Sequence, residues 1–340
     1  MLDVILIDDP QPSGMIPYMK QANPEALLIY RSHIYVDTSL IDNEVTLQHR
    51  VWQYLYENIK HADLFISHPV DYFVPSEIEH EKLIYMPPST DPLDGLNKNL
   101  KDEQIEYYFE EFNKALLESG QKPLDRSEKE YFIQIARFDP SKGILDVLDS
   151  YRLFREKYEG DNPPALVVVG NGAHDDPEGE EIYSSIMQKL SLEEFDHIRE
   201  DIKVAVLPLC DQQLNALLSE AKVAFQLSYR EGFEFKITEA LMKGVPTIIY
   251  DVGGMILQIE NEQNGYVLDR GDIEGVSEKL IELCNNSQLY NGISKYAREN
   301  VNPNFLTFAR VVDYLKIAIN KEEYKKVREK EKIHTKKITN

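Results

Sequence analysis

The sequence predicts an α/β protein built on parallel sheets. Short β-branched runs alternate with longer amphipathic stretches along the whole chain, which is the pattern of repeated βα units. Several of the short runs are apolar throughout, as strands must be when helices cover both faces of their sheet. At 340 residues the chain has room for two domains of ordinary size and ample core for each.

The elements follow in order. In the first third, apolar runs at 3–7, 26–30, 63–67 and 82–86 read as strands, with an amphipathic helix at 44–61. From 91 to 130 the β pattern lapses. A helix is expected at 102–118, and nine acidic and five basic residues crowd 101–130, so the domain boundary is placed there. Beyond it, strands at 131–137, 165–170, 203–207, 223–227, 247–250 and 266–268 alternate with helices at 144–157, 181–190, 212–221, 237–243 and 273–285. Residues 131–302 therefore read as one doubly wound domain, after a first domain at 1–130 with only four convincing strands. A last helix is expected at 305–319, followed by a charged tail at 321–340 that carries eight Lys or Arg against four Asp or Glu.

Composition excludes several classes. Thirty-seven basic against 59 acidic residues give a net charge of −22, which repels phosphate backbones and anionic lipids, so neither nucleic acid nor membrane is an expected partner. No run approaches the roughly 18 apolar residues of a membrane span, and the first residues lack a basic flank followed by an apolar stretch. Two cysteines, Cys210 and Cys284, supply neither a disulfide framework nor a cysteine-based zinc site, which fits a reducing compartment, most simply the cytoplasm. His-Glu-x-x-His, Gly-x-Ser-x-Gly, a Walker phosphate loop and Asp-x-Asp are all absent from the sequence, which counts against hydrolases of those types and metal-dependent transferases.

Two segments at strand ends could carry chemistry, because open α/β sheets bind ligands there. Arg137-Phe138-Asp139-Pro140-Ser141-Lys142-Gly143 lies between a strand and a helix, so Arg137 and Lys142 flank a helix N-terminus whose N–H groups favour an anion. That is a constellation for phosphate; on spacing alone it is equally a turn with two solvated cations. Tyr229 to Leu241 follows the strand 223–227. Gly232 permits close backbone approach, and Glu231 and Glu239 stand at different depths, where carboxylates could accept hydrogen bonds from two sugars of one ligand. As isolated glutamates they would be solvated charges.

Together the two segments resemble the retaining glycosyltransferases of the GT-B fold, the family 4 type that includes sucrose and trehalose synthases. The shared pattern is Arg-Phe-x-x-x-Lys-Gly followed about ninety residues later by Glu-Gly-Phe-x-x-x-x-x-Glu-Ala. The resemblance implies two Rossmann-like doubly wound domains. It assigns the donor diphosphate to Arg137 and Lys142, the donor sugar to Glu231 and the Gly232-Phe233 backbone, and the ribose to Glu239. Family members usually carry Gly or Ser where this chain has Glu234. Asp8-Asp9-Pro10-Gln11-Pro12, Arg31-Ser32-His33-Ile34 and the segment 174–179 are similar to the trehalose-forming branch, which includes trehalose synthases and fungal retaining trehalose phosphorylases.

That branch implies that His33 hydrogen-bonds the transferring sugar, with Arg31 steadying it. Without the resemblance, a His at a strand end is an ordinary surface or satisfied residue. Gly170-Asn171-Gly172 could approach a ligand but reads equally as a turn, and Asp175 and Asp176 order that loop rather than touch substrate. The implied reaction transfers glucose with retention from a nucleoside diphosphate glucose to glucose, forming trehalose. A phosphorylase using glucose 1-phosphate and a silent nucleotide-sugar-binding protein are the alternatives. No cofactor or metal is implied, and a homo-oligomer is possible. In the family, Asp-Pro-Gln comes midway through the first domain, so the first domain is expected to be incomplete, as in an N-terminally truncated product.

Overall fold

The computed structural model describes residues 2–171 and 177–324; Gly172, residues 174–176 and nearly all of the charged tail lie outside the described residues. The strands are β1 (Val4–Asp8), β2 (Leu27–Arg31), β3 (Leu64–Ser67), β4 (Leu83–Tyr85), β5 (Tyr131–Ile135), β6 (Ala165–Asn171), β7 (Ile202–Leu207), β8 (Val223–Gln226), β9 (Thr247–Tyr250) and β10 (Gly265–Leu268). The helices are α1 (Ile16–Ala22), α2 (Thr38–Ile41), α3 (Leu47–Ile59), α4 (Asp102–Glu118), α5 (Ile144–Lys157), α6 (Pro177–Leu190), α7 (Asp211–Ser219), α8 (Phe235–Lys243), α9 (Ile273–Asn285), α10 (Ser287–Glu299) and α11 (Thr307–Ile319).

The chain divides into two compact units, Met1–Ser89 with Pro303–Asn340, and Thr90–Asn302. The first unit holds a parallel sheet in the order β1-β2-β3-β4. Its strands alternate faces with a period of two. Leu27, Ile29, Leu64 and Ile66 pack with Met86 and with Ile317 of α11 on one face, while Tyr30 meets Phe65 with ring centroids 5.5 Å apart on the other. Asp63, buried just before β3, accepts the Leu28 N–H at 2.9 Å and pairs with Lys20 of α1, which fixes the register of β2 against the chain entering β3.

The second unit holds a six-stranded parallel sheet in the order β10-β9-β8-β5-β6-β7. Counted from β5, this is the doubly wound order in which the chain runs outward one way, then returns and runs outward the other. The reversal falls between β5 and β8. One face buries Phe132, Val168, Val204, Phe225 and Ile248 with α5 and α9; the other buries Tyr131, Ile133, Val167 and Ala205 with α4 and α7.

That second face corrects the expected boundary. Residues 102–118 do form a helix, but Ile105, Phe109, Phe112 and Leu116 of α4 pack into the second unit's core, so the division falls at Ser89 and Thr90 and not near 130. Half of the charges that suggested the boundary sit on α4, away from the face that Ile105, Phe109, Phe112 and Leu116 bury. Helices α1, α2 and α10 were not expected. α1 begins with Pro17 in its first turn and buries only Ile16. In α10 only Ile293 and Ala297 are buried, and Asn286 caps it by accepting the Leu289 N–H at 3.0 Å. The apolar stripe of α10 is one-sided, but the helix is polar on average and so lacks the apolar run that marks the other helices.

Candidate active site

Two loops leave the C-terminal ends of β5 and β8, the neighbouring strands at which the chain order reverses. The strand expected at 131–137 ends at Ile135, although the Ala136 N–H still donates to the Val169 carbonyl at 3.0 Å. Asp139 then caps a single 3-10 turn, Pro140–Lys142, by accepting the Ser141 N–H and hydroxyl at 2.7 Å each. Gly143, with φ of 61°, makes the bend into α5; a Cβ there would lie 1.9 Å from the Leu227 carbonyl oxygen at the end of β8. The two loops are joined further by the Tyr229 N–H donating to the Ser141 carbonyl at 2.7 Å.

Two polar residues inside these strands, unremarked in the sequence, support the loops. Gln134, fully buried in β5, donates through Nε2 to the Lys142 carbonyl at 2.8 Å. Gln226, buried in β8, donates to the Ile135 carbonyl at 3.2 Å. A glutamine in an otherwise apolar central strand is the signal that could have revealed them, since a buried amide must find partners.

Lys142 is the centre of the site. Its Nζ donates to Glu234 Oε2 at 2.8 Å and is ion-paired with Glu231. The three side chains are only 12%, 11% and 19% exposed respectively. Burial opposes the ammonium charge, yet Glu234 and Glu231 outweigh it and hold the Lys142 pKa above its usual value. Burial first, and then the charge of Glu234, push the Glu231 carboxyl up to about 7, with Lys142 opposing. Glu231 also turns back on the chain, accepting the Gly232 N–H at 3.0 Å. Glu234 caps α8 by accepting the Lys236 N–H at 3.2 Å. Phe233 is buried edge-on against Phe235, with centroids 5.7 Å apart. The Gly232 carbonyl accepts the Gly254 N–H at 3.0 Å, and a Cβ at Gly254 would come within 2.2 Å of it.

Arg137 and Lys142 line a cavity of about 240 Å³ with Gly170, Asp211, Glu234 and Lys236. Gly170 packs closely there, since a Cβ would meet the Ala136 carbonyl oxygen at 2.1 Å. Arg137 is 63% exposed, and its ion pair with Asp139 is long, at 3.6 Å. Glu239, by contrast, is only 3% exposed; it pairs with Lys236 Nζ at 2.6 Å, and burial raises its pKa against the pull of Lys236. Burial also lowers Lys243, one turn further along α8, to about 8, and its Nζ donates to the Leu96 carbonyl at 2.9 Å.

The other expected residues lie in the first unit. Arg31 ends β2 and reaches Asp8 at 3.5 Å; His33 follows it. The His33 ring stands 5.7 Å from that of His68, a buried residue just beyond β3 that sequence reasoning did not single out. Burial lowers both imidazoles, His68 to about 4, so the pair is neutral at ordinary pH. Asp9 takes a left-handed conformation, φ 71°, ahead of Pro10.

The family description "Glycosyl transferases group 1" matches residues 118–300, and "Trehalose synthase, N-terminal domain" matches residues 1–74. The chain is 42% identical to a trehalose phosphorylase of Grifola frondosa, over 94% of this chain and 44% of that protein. It is 32% identical to a trehalose synthase of Pyrococcus horikoshii, over 93% of this chain and 68% of that protein. It therefore spans less than half the length of its fungal relative. Among solved structures, Anabaena Alr3699/HepE in complex with UDP and glucose superimposes with a TM-score of 0.69 at 15% identity, covering 92% of this chain and 77% of that one. A sucrose-phosphate synthase of Thermosynechococcus elongatus gives 0.65 at 17%, covering 92% and 72%. These likenesses establish the GT-B fold.

Proposed function

The chain belongs to the group 1 glycosyl transferases, and on that premise we propose that it is a retaining glucosyltransferase that makes or breaks trehalose. The observation that carries the reading is the convergence of Arg137, Lys142 and Glu231 on two loops at the reversal point of the second sheet, beside a cavity. Such a crevice is where open α/β sheets take their ligands.

In this reading Arg137 and Lys142 hold the donor phosphate, Glu231 and the Gly232-Phe233 backbone meet the donor sugar, and Glu239 holds a ribose if the donor carries one. On the first unit, His33 is a candidate partner for a sugar hydroxyl, with Arg31 close to it in the chain. As the bond from the sugar C1 to the phosphate oxygen breaks, charge grows on that oxygen, and fixed cations lower the cost of its departure. The acceptor hydroxyl enters on the same face and passes its proton to the departing phosphate oxygen, so configuration is retained without a covalent nucleophile.

Two donors fit this scheme, a nucleoside diphosphate glucose and glucose 1-phosphate. The higher identity to the phosphorylase of Grifola frondosa supports the second. A donor screen decides between them: glucose 1-phosphate and UDP-, ADP- and GDP-glucose are each offered with glucose as acceptor, and trehalose is measured. Formation of trehalose from at least one is expected; its absence with all four would overturn the reading.

A further inference from the structure

We propose that Glu234 is the specificity-determining residue of the donor site, reserving it for a donor with a single phosphoryl group and refusing a nucleoside diphosphate. The proposal rests on the reading of Arg137 and Lys142 as the phosphate site.

The argument counts hydrogen-bond donors. An ammonium group has three N–H bonds. Glu231 and Glu234 engage two of those on Lys142, which leaves one for a ligand oxygen. The start of α8 would ordinarily offer N–H groups to a second phosphoryl group. Here Glu234 occupies that position too, because the carboxylate that grips Lys142 also accepts the Lys236 N–H at 3.2 Å. Lys236 is itself committed to Glu239. What stays open is the guanidinium of Arg137, exposed and only loosely paired, together with the last donor of Lys142. That is a seat for one phosphoryl group.

The helix start and the second Lys142 donor, which a diphosphate would need, carry a carboxylate instead. Glu234 has the same charge sign as the phosphate it would have to yield to, and the Gln258 amide holds its backbone by donating to the Glu234 carbonyl at 3.2 Å.

The test is calorimetric titration of the whole chain with glucose 1-phosphate and, separately, UDP and ADP, in the parent, E234S, E234Q and R137A. Serine retains a capping hydroxyl at the α8 N-terminus, and glutamine retains the carbonyl acceptor while removing the charge, so at least one variant should fold. The parent should bind glucose 1-phosphate at least about tenfold more tightly than either nucleotide. In E234S and E234Q the ratio of nucleotide affinity to glucose 1-phosphate affinity should rise at least about tenfold. Nucleotide binding in the parent as tight as that of glucose 1-phosphate would overturn the proposal. So would an equal rise for all three ligands in the variants, which marks mere removal of a repelling charge. The R137A arm separates the two failures. If R137A loses glucose 1-phosphate but the Glu234 variants do not change discrimination, the proposal fails and the phosphate site stands. If R137A binds glucose 1-phosphate as the parent does, the site reading itself fails.

Discussion

Replacing Lys142 by Met removes one charge and keeps most of the aliphatic stem, so the change isolates what the ammonium does for Glu231 and Glu234. Both carboxylates and the lysine are at least four-fifths buried, which leaves little solvent to screen the charges that remain. Deleting one partner of a buried ion pair typically costs about 3–5 kcal/mol. For a unit of this size that lowers the melting temperature by roughly 2–4 °C per kcal/mol. The loss should also depend on pH. Glu231 has a folded-state pKa raised to about 7, so the folded protein holds that proton more tightly than the unfolded chain does. A raised carboxyl favours folding at low pH, and this contribution fades as pH rises through the folded pKa. Loss of Lys142 removes the group that opposes the upward shift, so the variant should fall off more steeply than the parent. Urea unfolding of both proteins at about pH 5.5 and about pH 8.5 reads this directly. The gap should be smaller at the lower pH and reach several kcal/mol at the higher. A gap below about 1 kcal/mol at the higher pH, or one that does not vary with pH, would refute the buried-triad reasoning.

Three further outcomes are expected. Arg137→Ala removes an exposed side chain, so stability should stay within about 0.5 kcal/mol, while affinity for glucose 1-phosphate falls roughly tenfold to a hundredfold, the worth of a charge-assisted contact; calorimetry measures the second and urea unfolding the first. Gly143→Ala places a methyl group 1.9 Å from a backbone oxygen in a left-handed conformation, and should cost more than about 2 kcal/mol in urea, with anion affinity falling as the Lys142 turn shifts. Glucosyl transfer should persist in EDTA, since two cations stand beside the phosphate seat and the sequence has no Asp-x-Asp pair; loss of turnover restored by manganese would contradict this.

The sheets were legible in the sequence because buried parallel strands are almost wholly apolar, and the ten strands among the described residues fall where such runs occur. Which unit a helix joins was less legible: the apolar stripe of α4 is plain at 105, 109, 112 and 116, but nothing local says which sheet it covers. The site shows the same limit. Arg137, Lys142, Glu231 and Glu239 are candidates that two local motifs supply. The pairing of Lys142 with Glu234, about ninety residues away, depends on β5 and β8 lying side by side, and the sequence could record Glu234 only as a departure from the usual Gly or Ser. Gln134, Gln226 and His68 escaped notice for a related reason, since their partners are backbone groups or rings brought together by the fold.

The central claim is retaining glucosyl transfer at the Arg137 and Lys142 site, and proton NMR of the product tests it most directly. The chain is incubated with α-glucose 1-phosphate and glucose, and in the reverse sense with trehalose and inorganic phosphate, and the first-formed anomeric signals are recorded before mutarotation. The account predicts α,α-trehalose in one direction and α-glucose 1-phosphate in the other, with both lost in R137A. A β-linked product, or α-linked products formed at parental rate by R137A, would contradict it.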